Sequence, residues 1–190
     1  MTRQPPAPEF SRPVPVDRLP DSGQHERIEA DAAERAALAR RFDIPEIVSL
    51  RAHAKLTRTD KGRGVVLEAA FEADVVQSCV VTLEPVPEHV AESFTIRYLP
   101  AERVAEWEER HRRMGEEGEL VDPDAPDPPE TLSGNVIDVG EAVAEHLALA
   151  LDPYPRAPGA AFEAPADQDP VEEPARPNPF AVLRGRRDDA

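Results

Sequence analysis

The chain has 190 residues, a formal net charge of −16 at pH 7 and 22 prolines. Its only lysines are Lys55 and Lys61, so the composition argues against nonspecific binding to DNA or RNA, which uses clustered Lys and Arg side chains to neutralise phosphates. A local basic patch is still compatible with this charge.

The sequence predicts a cytoplasmic protein without a membrane segment. The single cysteine, Cys79, cannot form an internal disulfide, which is typical of a reducing compartment. The sequence contains no apolar run of about 18 residues, and its N-terminus lacks the apolar region of a signal peptide.

The distribution of proline predicts one domain with long tails. The prolines concentrate in residues 5–20, 123–129 and 153–179, where regular structure is disfavoured. We therefore expect a disordered N-terminus and a flexible Pro-rich, acidic tail around one α+β domain that contains a variable acidic loop. The expected bounds are 1–8 for the N-terminus, 9–156 for the domain, about 115–130 for the loop and 157–190 for the tail.

The first part of the chain predicts an edge strand and a helix. Residues 9–17 alternate polar and apolar side chains, and the prolines among them fit only an edge position. Asp31 and Glu34 form a capping-box pattern in front of a run of helix formers, which Pro45 ends.

Residues 64–86 carry the strongest strand signal, and we predict two long strands there. Apolar residues alternate at the start of this stretch, and valines crowd its second half. Gly62 and Gly64 allow a turn before the first strand. Pro85 and Pro87 are expected to end the second strand, because proline lacks a donor for the ladder.

Three more stretches, residues 46–56, 90–99 and 132–137, have strand patterns. Their connections are too short for parallel crossovers, so antiparallel pairing is expected. The predicted fold class is therefore α+β, in which an antiparallel meander sheet is packed by two or three helices.

Two further helices are predicted in the second half of the chain. One covers residues 101–114, in an acidic region. The other begins after Asp138, which can cap it with Glu141 in the N3 position. Its apolar residues recur every four positions and form one face, and residues 152–155 stop it.

No catalytic residue, metal site or cofactor site is predicted. Cys79 lies in an apolar strand without a second cysteine and is interpreted as a small buried hydrophobe. The five histidines lack the paired spacing of a zinc site. Gly62, Arg63 and Gly64 are interpreted as a turn, because no helix follows as in a phosphate loop, and Trp107 as a packing anchor for its helix.

Four motifs occur in a fixed order and together resemble one known family. They are Gln77-x-Cys79-Val80-Val81-Thr82-Leu83-Glu84-Pro85-Val86, Asp138-x-Gly140-Glu141, Leu151-Asp152-Pro153-Tyr154-Pro155 and Asn178-Pro179-Phe180-Ala181-Val182-Leu183. This set resembles the YceD family of bacteria and plastids, also called large ribosomal RNA subunit accumulation proteins. The resemblance covers nearly the whole chain, from Phe10 to Leu183.

The resemblance implies a role in accumulation of 23S ribosomal RNA, and hence in assembly of the large ribosomal subunit. It establishes no enzymatic activity, and the residues themselves indicate a noncatalytic domain. Many family members carry a Cys-x-x-Cys pair where this chain has Cys79-Val80-Val81-Thr82. Because the second cysteine is missing, a metal-binding role of other members does not transfer to this chain.

The implied partner is the pre-large-subunit particle, contacted through a ribosomal protein, an assembly factor or the 23S ribosomal RNA precursor. A basic ribosomal protein would be attracted to the acidic residues 102–130, and the tail cluster at residues 180–183 could add an apolar anchor. Direct RNA contact would use a small patch such as the arginines of the tail. Alternatives are an acidic holdase for basic ribosomal proteins and an RNA-processing enzyme with metal-binding carboxylates.

The candidate binding residues belong to the first and last motifs and to the basic end of the chain. They are Gln77, Cys79, Thr82, Glu84, Pro85, Asn178, Pro179, Phe180, Leu183, Arg184, Arg186 and Arg187.

Overall fold

The computed structural model describes residues 8–59, 63–116 and 127–161, which form seven β-strands, three α-helices and one 3-10 helix. The chain divides into two units, Met1–Pro158 and Gly159–Ala190, and every element named below lies in the first. In chain order the elements are β1 (Pro13–Pro15), the 3-10 helix (Val16–Arg18), β2 (Gln24–Glu29), α1 (Ala32–Phe42), β3 (Glu46–Thr59), β4 (Gly64–Ser78), β5 (Pro85–Leu99), α2 (Ala101–Glu116), β6 (Glu130–Thr131), β7 (Val136–Asp138) and α3 (Val139–Ala150).

Five of the strands form one sheet in the order β2-β3-β4-β5-β6. Strands β2 to β5 pair antiparallel as a meander, and the short β6 pairs parallel to β5. Strands β1 and β7 form a separate antiparallel pair. The predicted α+β fold class and the antiparallel meander are confirmed, and so is the strand near the N-terminus, although β1 is only three residues long.

Strand β4 is one strand of 15 residues, so the prediction of two strands between residues 64 and 86 is wrong. The alternation continues unbroken from Leu67 through Phe71 to Val75, and all three side chains are buried. Glu72 and Asp74 point to the opposite, exposed face. A strand with this pattern needs no turn at its centre, because each polar residue already faces solvent.

Strand β5 begins with Pro85 and contains Pro87, so these prolines do not end a strand as predicted. One edge of β5 pairs with β4, and among the described residues the other edge pairs with β6 only at Tyr98 and Leu99. Proline is tolerated in such a strand because the missing N–H can face the open edge.

Two strand assignments differ from the expectation in another way. The prediction contains no strand at β2, whose only buried residue is Ile28. The single strand expected at residues 132–137 is replaced by β6 and β7 on either side of a turn at Gly134, where φ is +71°. A strand as polar as β2 has no apolar alternation to detect, although it completes the sheet beside β3.

The three predicted helices are confirmed. Helix α1 has the full capping box between Asp31 and Glu34, and Asp43 ends it in a left-handed conformation, two residues before Pro45. Asp138 caps α3 by accepting hydrogen bonds from the N–H groups of Gly140 and Glu141. The apolar face of α3, with Val139, Val143 and Leu147 fully buried, packs into the core.

The same Asp138 side chain holds the N-terminal segment against the start of α3. Its carboxylate accepts hydrogen bonds from Ser11 Oγ at 2.5 Å and from the Arg12 N–H at 2.7 Å. At Gly140 an added Cβ would lie 2.5 Å from the carbonyl oxygen of Phe10, so only glycine allows this crossing. The Asp-x-Gly-Glu motif therefore binds two distant parts of the chain together.

A second set of charged contacts joins this region to α1. The Arg12 guanidinium donates to both carboxylate oxygens of Glu34, at 2.6 and 2.9 Å. Arg41 of α1 bridges Glu9 and Glu141, at 3.1 and 2.9 Å. Glu141 thus pairs with Arg41 and does not close a capping box on its own helix.

Several predicted features lie outside the described residues: the N-terminus before residue 8, the tip of the β3–β4 turn at 60–62, most of the acidic loop at 117–126 and the tail from 162 onward. No described helix is both long enough and apolar enough to cross a bilayer.

We predict that Asp138→Ala lowers the free energy of unfolding by about 2 kcal/mol, against about 1 kcal/mol for the matched cap variant Asp31→Ala. Asp138 also holds Ser11 and Arg12, whereas the Asp31 side chain accepts only from the first turn of α1. Urea denaturation of both variants measures the difference. Equal losses would show that the contacts of Asp138 with the N-terminal segment contribute nothing.

Candidate functional site

The turn between β4 and β5 is closed by backbone hydrogen bonds around Cys79. The Cys79 N–H donates to the carbonyl of Glu84 at 2.8 Å, and the Leu83 N–H donates to the carbonyl of Cys79 at 2.9 Å. Leu83 has a φ of +62°, which is uncommon for a residue other than glycine or asparagine. The turn is therefore tightly constrained and holds one residue in a strained conformation.

The segment that follows α3 packs against this turn. Gln77 Nε2 donates to the carbonyl of Asp152 at 2.9 Å, and the Val80 N–H donates to the carbonyl of Pro155 at 2.9 Å. The Ala157 N–H donates to Cys79 Sγ at 3.3 Å. We call this contact between residues 77–84 and residues 152–157 the motif junction, because two of the four motifs meet in it.

Cys79 is fully buried at the centre of the motif junction, in the turn after β4 and not within a strand as predicted. Its sulfur accepts from the N–H groups of Ala157, Thr82 and Val81, at 3.3, 3.4 and 3.4 Å. The hydrogen bond from Ala157 lowers the pKa of Cys79 most, followed by one from the Thr82 side chain and then by the other backbone N–H groups. Together they bring the pKa to about 6 against the opposing effect of burial, because they favour the thiolate.

The residues around Cys79 do not fit a metal ion. Thr82 stands at the fourth position of the turn, and its hydroxyl is hydrogen-bonded with Glu84. The chain has no second cysteine. Among the described residues no three or more His, Cys, Asp or Glu side chains lie together as a ligand set.

The exposed part of the motif junction is its tip. Thr82, Glu84 and Pro85 of the candidate binding residues are exposed, whereas Gln77 and Cys79 are buried and hold the turn. The tip also presents apolar side chains to solvent, since Leu83 is 79% exposed and Tyr154 is 73% exposed. We call Val80, Leu83 and Tyr154, together with Thr82, Glu84 and Pro85, the turn tip.

The second candidate site is the face of the sheet directed away from the core, which we call the outer face. It contains a shallow depression of about 1030 Å³, lined by side chains of β2 to β5. Alternation along β2 and β3 places His25, Arg27, His53 and Lys55 on this face. The sequence analysis missed this cluster because it predicted no strand at β2. If β2 had been predicted, the alternation of side chains along β2 and β3 would have shown that these four residues share a face.

The depression extends to α3 beside β5. Here the ring of His146 stacks on Phe94, with ring centroids 3.7 Å apart and planes 8° from parallel. Partial burial lowers the pKa of His146, so this imidazole is mostly neutral at pH 7.

Helix α2 carries part of the acidic region but has internal charge pairing. Glu109 forms ion pairs with Arg112 and Arg113, at 2.6 and 2.8 Å, and Glu106 pairs with Arg103 at 3.1 Å. Trp107 is half-buried and stacks on His111 with ring centroids 3.6 Å apart. The unbalanced negative charge therefore lies beyond the helix, in residues 117–130.

Residues 67–185 match the family model described as large ribosomal RNA subunit accumulation protein YceD. The chain belongs to the YceD family. The matched region contains the motif junction, most of β4, and strands β5 and β6, and the family description names the RNA of the large ribosomal subunit. No curated protein and no solved structure gives a significant match to the chain.

Within this YceD chain, two of the motifs that carry the resemblance meet in the motif junction, and a third is the Asp138 cap of α3. The fourth motif contains the candidate residues of the tail, and all of them lie outside the described residues. They are Asn178, Pro179, Phe180 and Leu183, with Arg184, Arg186 and Arg187 after them.

We predict that Cys79→Ser destabilises the fold more at high pH than at low pH. A thiol whose pKa is about 6 in the folded protein and about 8.5 when unfolded adds stability that is absent below about pH 6, grows as the pH rises and is complete above about pH 8.5. Serine cannot ionise in this range, so the gap in Tm between the native protein and the variant should widen from pH 5 to about pH 9.

Thermal unfolding followed by circular dichroism measures this gap, with Ser78→Ala as the control. Ser78 is the exposed neighbour at the end of β4, and its replacement should give a gap independent of pH. A constant gap for Cys79→Ser would show that the thiolate contributes nothing to stability.

Proposed function

We propose that this protein is a noncatalytic factor that supports accumulation of 23S ribosomal RNA and assembly of the large ribosomal subunit by binding a component of the pre-large-subunit particle. The observation that carries the proposal is the YceD family match over residues 67–185. Ribosome assembly in bacteria takes place in the cytoplasm, so the proposal includes that location.

The turn tip is the proposed contact surface for a protein of this particle, either a ribosomal protein or an assembly factor. Exposed apolar side chains beside a rigid, buried support are typical of anchor residues in interfaces. Leu83 has this arrangement, because the backbone bonds of Cys79 fix it while its side chain is exposed. The strain at Leu83 costs about 1 kcal/mol, which is compatible with a role in binding.

The tail is the second proposed contact, through the apolar residues 180–183 and the arginines that follow them. An apolar segment at the end of a proline-rich chain can bind a groove on a partner. Because it is far along the chain from the turn tip, the two contacts would act together as a bivalent binder.

An acidic holdase for basic ribosomal proteins is the alternative function. It is favoured by residues 114–130, which contain seven acidic residues and no Lys or Arg. Such a holdase would bind free basic proteins and would lose affinity steeply with salt. Replacing these acids by amides would abolish that binding, whereas binding through the turn tip would not change.

We predict that cells without this gene have a lower ratio of 23S to 16S ribosomal RNA and accumulate large-subunit precursors. The full-length gene should restore the ratio, and a gene truncated before Asn178 should restore it poorly. Quantitative electrophoresis of total RNA and sucrose-gradient subunit profiles measure both effects. An unchanged ratio with a normal subunit profile would refute the proposed function.

We predict that Leu83→Asn makes the protein more stable and less active. Asparagine tolerates positive φ better than leucine, so the free energy of unfolding should rise by about 1 kcal/mol. Loss of the apolar side chain should lower the 23S to 16S ratio in complemented cells. The matched control is Leu149→Gln, which removes an 80% exposed leucine from α3 and should leave the ratio normal.

A more stable Leu83→Asn protein that fully restores the ratio would exclude the turn tip as a contact surface. Poor rescue by Leu149→Gln as well would show that loss of any exposed leucine is harmful. That result would also count against the turn tip as a specific contact surface.

A further inference from the structure

We propose that the outer face of the sheet binds single-stranded RNA, with phosphates on the cations of β2 and β3 and bases over the centre of the sheet. This inference rests on the proposed function and names RNA as a direct partner. The main evidence for RNA binding is the register of the strands, which brings together residues that are far apart in sequence.

Two cations of the outer face, Arg27 of β2 and Lys55 of β3, lie next to two histidines. Arg27 lies opposite His53 in the register, and Lys55 lies opposite His25, so four basic or protonatable side chains form one block. Among the described residues neither Arg27 nor Lys55 has a hydrogen-bond or ion-pair partner. Arg51, in the next row of the sheet, is instead paired with Glu72 at 2.8 Å. Arg27 is exposed and Lys55 is half-buried, so both charged groups are available to neutralise phosphates.

Small side chains form the floor of the depression next to this block. Ala70 of β4 lies opposite His53 on one side and Ser93 of β5 on the other. Neighbouring strands are about 4.8 Å apart, so the short side chains of Ala70 and Ser93 leave a gap about two strands wide between the longer side chains around them. The depression of about 1030 Å³ is large enough for a nucleotide base.

Imidazole rings also line the depression. His25 and His53 lie at the β2–β3 side of the floor, whereas His146 reaches the depression from α3 and stacks on Phe94, which packs against the core. Unpaired RNA bases are recognised by stacking on aromatic rings, histidine included. A base-paired helix could not place its bases on this floor, so the geometry favours a single strand.

Arg97 adds a third permanent cation at the end of the depression. Its guanidinium donates to the carbonyl of Asp127 at 3.3 Å, while its Nε is buried without a hydrogen-bond partner among the described residues. Two carboxylates, Glu68 and Asp127, also line the depression. Glu68 lies opposite Lys55, and a carboxylate there can accept from the amino group of a base, cytosine in particular.

The test is fluorescence anisotropy of the full-length protein with a labelled single-stranded RNA of about 16 nucleotides, titrated at several salt concentrations. Arg27→Gln combined with Lys55→Gln should weaken binding about tenfold or more at low salt. It should also reduce the slope of log K against log salt by about 1.4, since each phosphate contact on a single strand contributes about 0.7.

The matched control is Arg40→Gln combined with Arg110→Gln. It makes the same change in net charge on exposed helix positions that are away from the sheet, and RNA affinity should stay within about twofold of the native value. Circular dichroism checks the folding of both double variants. Both should fold, because Arg27 and Lys55 have no ion-pair partner in the described part of the chain that their replacement would leave unpaired.

Absence of RNA binding by the native protein, or an equal loss in both double variants, would overturn the inference. So would capture of an acidic protein through Arg27 and Lys55 with no binding of RNA. The outer face could show no RNA binding while the 23S to 16S ratio is still lower in cells without the gene. In that case the proposed function stands, with a protein as the partner. An unchanged 23S to 16S ratio would refute the proposed function separately from the anisotropy result.

Discussion

Strand β4 pairs with β3 on one side and with β5 on the other along nearly all of its length. This double pairing fixes one register, since a slip of one residue would move Leu67 and Phe71 into solvent and Glu72 into the core. Burying an unpaired carboxylate costs far more than any hydrogen bond gained in the slipped sheet. The inner face thus dictates the outer face, so the alignment of Arg27, Lys55 and the histidines follows from the packing of the core.

The inner face of this sheet needs a cover, which comes from parts of the chain that are distant in sequence. Leu38 of α1 and Leu147 of α3 are both fully buried in the same core. The hydrogen bonds of Asp138 join α3 to Arg12 and Ser11, which precede it by 126 and 127 positions in the chain. This contact requires closure of a long loop. Loop-closure entropy rises only slowly with length, so a few partly buried polar contacts with good geometry, together with the core packing of α1 and α3, are sufficient to hold this closure.

Local signals in the sequence predicted most of the fold. The caps at Asp31 and Asp138, the apolar face of α3 and the alternation of β3 are each readable within one element, and the structure confirms them. The errors concern pairing. Pro85 and Pro87 are acceptable only because one edge of β5 is open, and β2 is a strand only because β3 pairs with it. The outer face was missed for the same reason, because it is assembled by register and not by any motif.

The net charge of −16 is compatible with the proposed RNA-binding face, because salt screening limits the range over which each carboxylate acts. At physiological salt the Debye length is about 8 Å, so an exposed carboxylate is largely screened from any phosphate farther away than this. In dilute salt the net negative charge acts at longer range and opposes the approach of RNA to the protein. For the proposed site, this repulsion would weaken nonspecific association and would also slow the encounter with RNA.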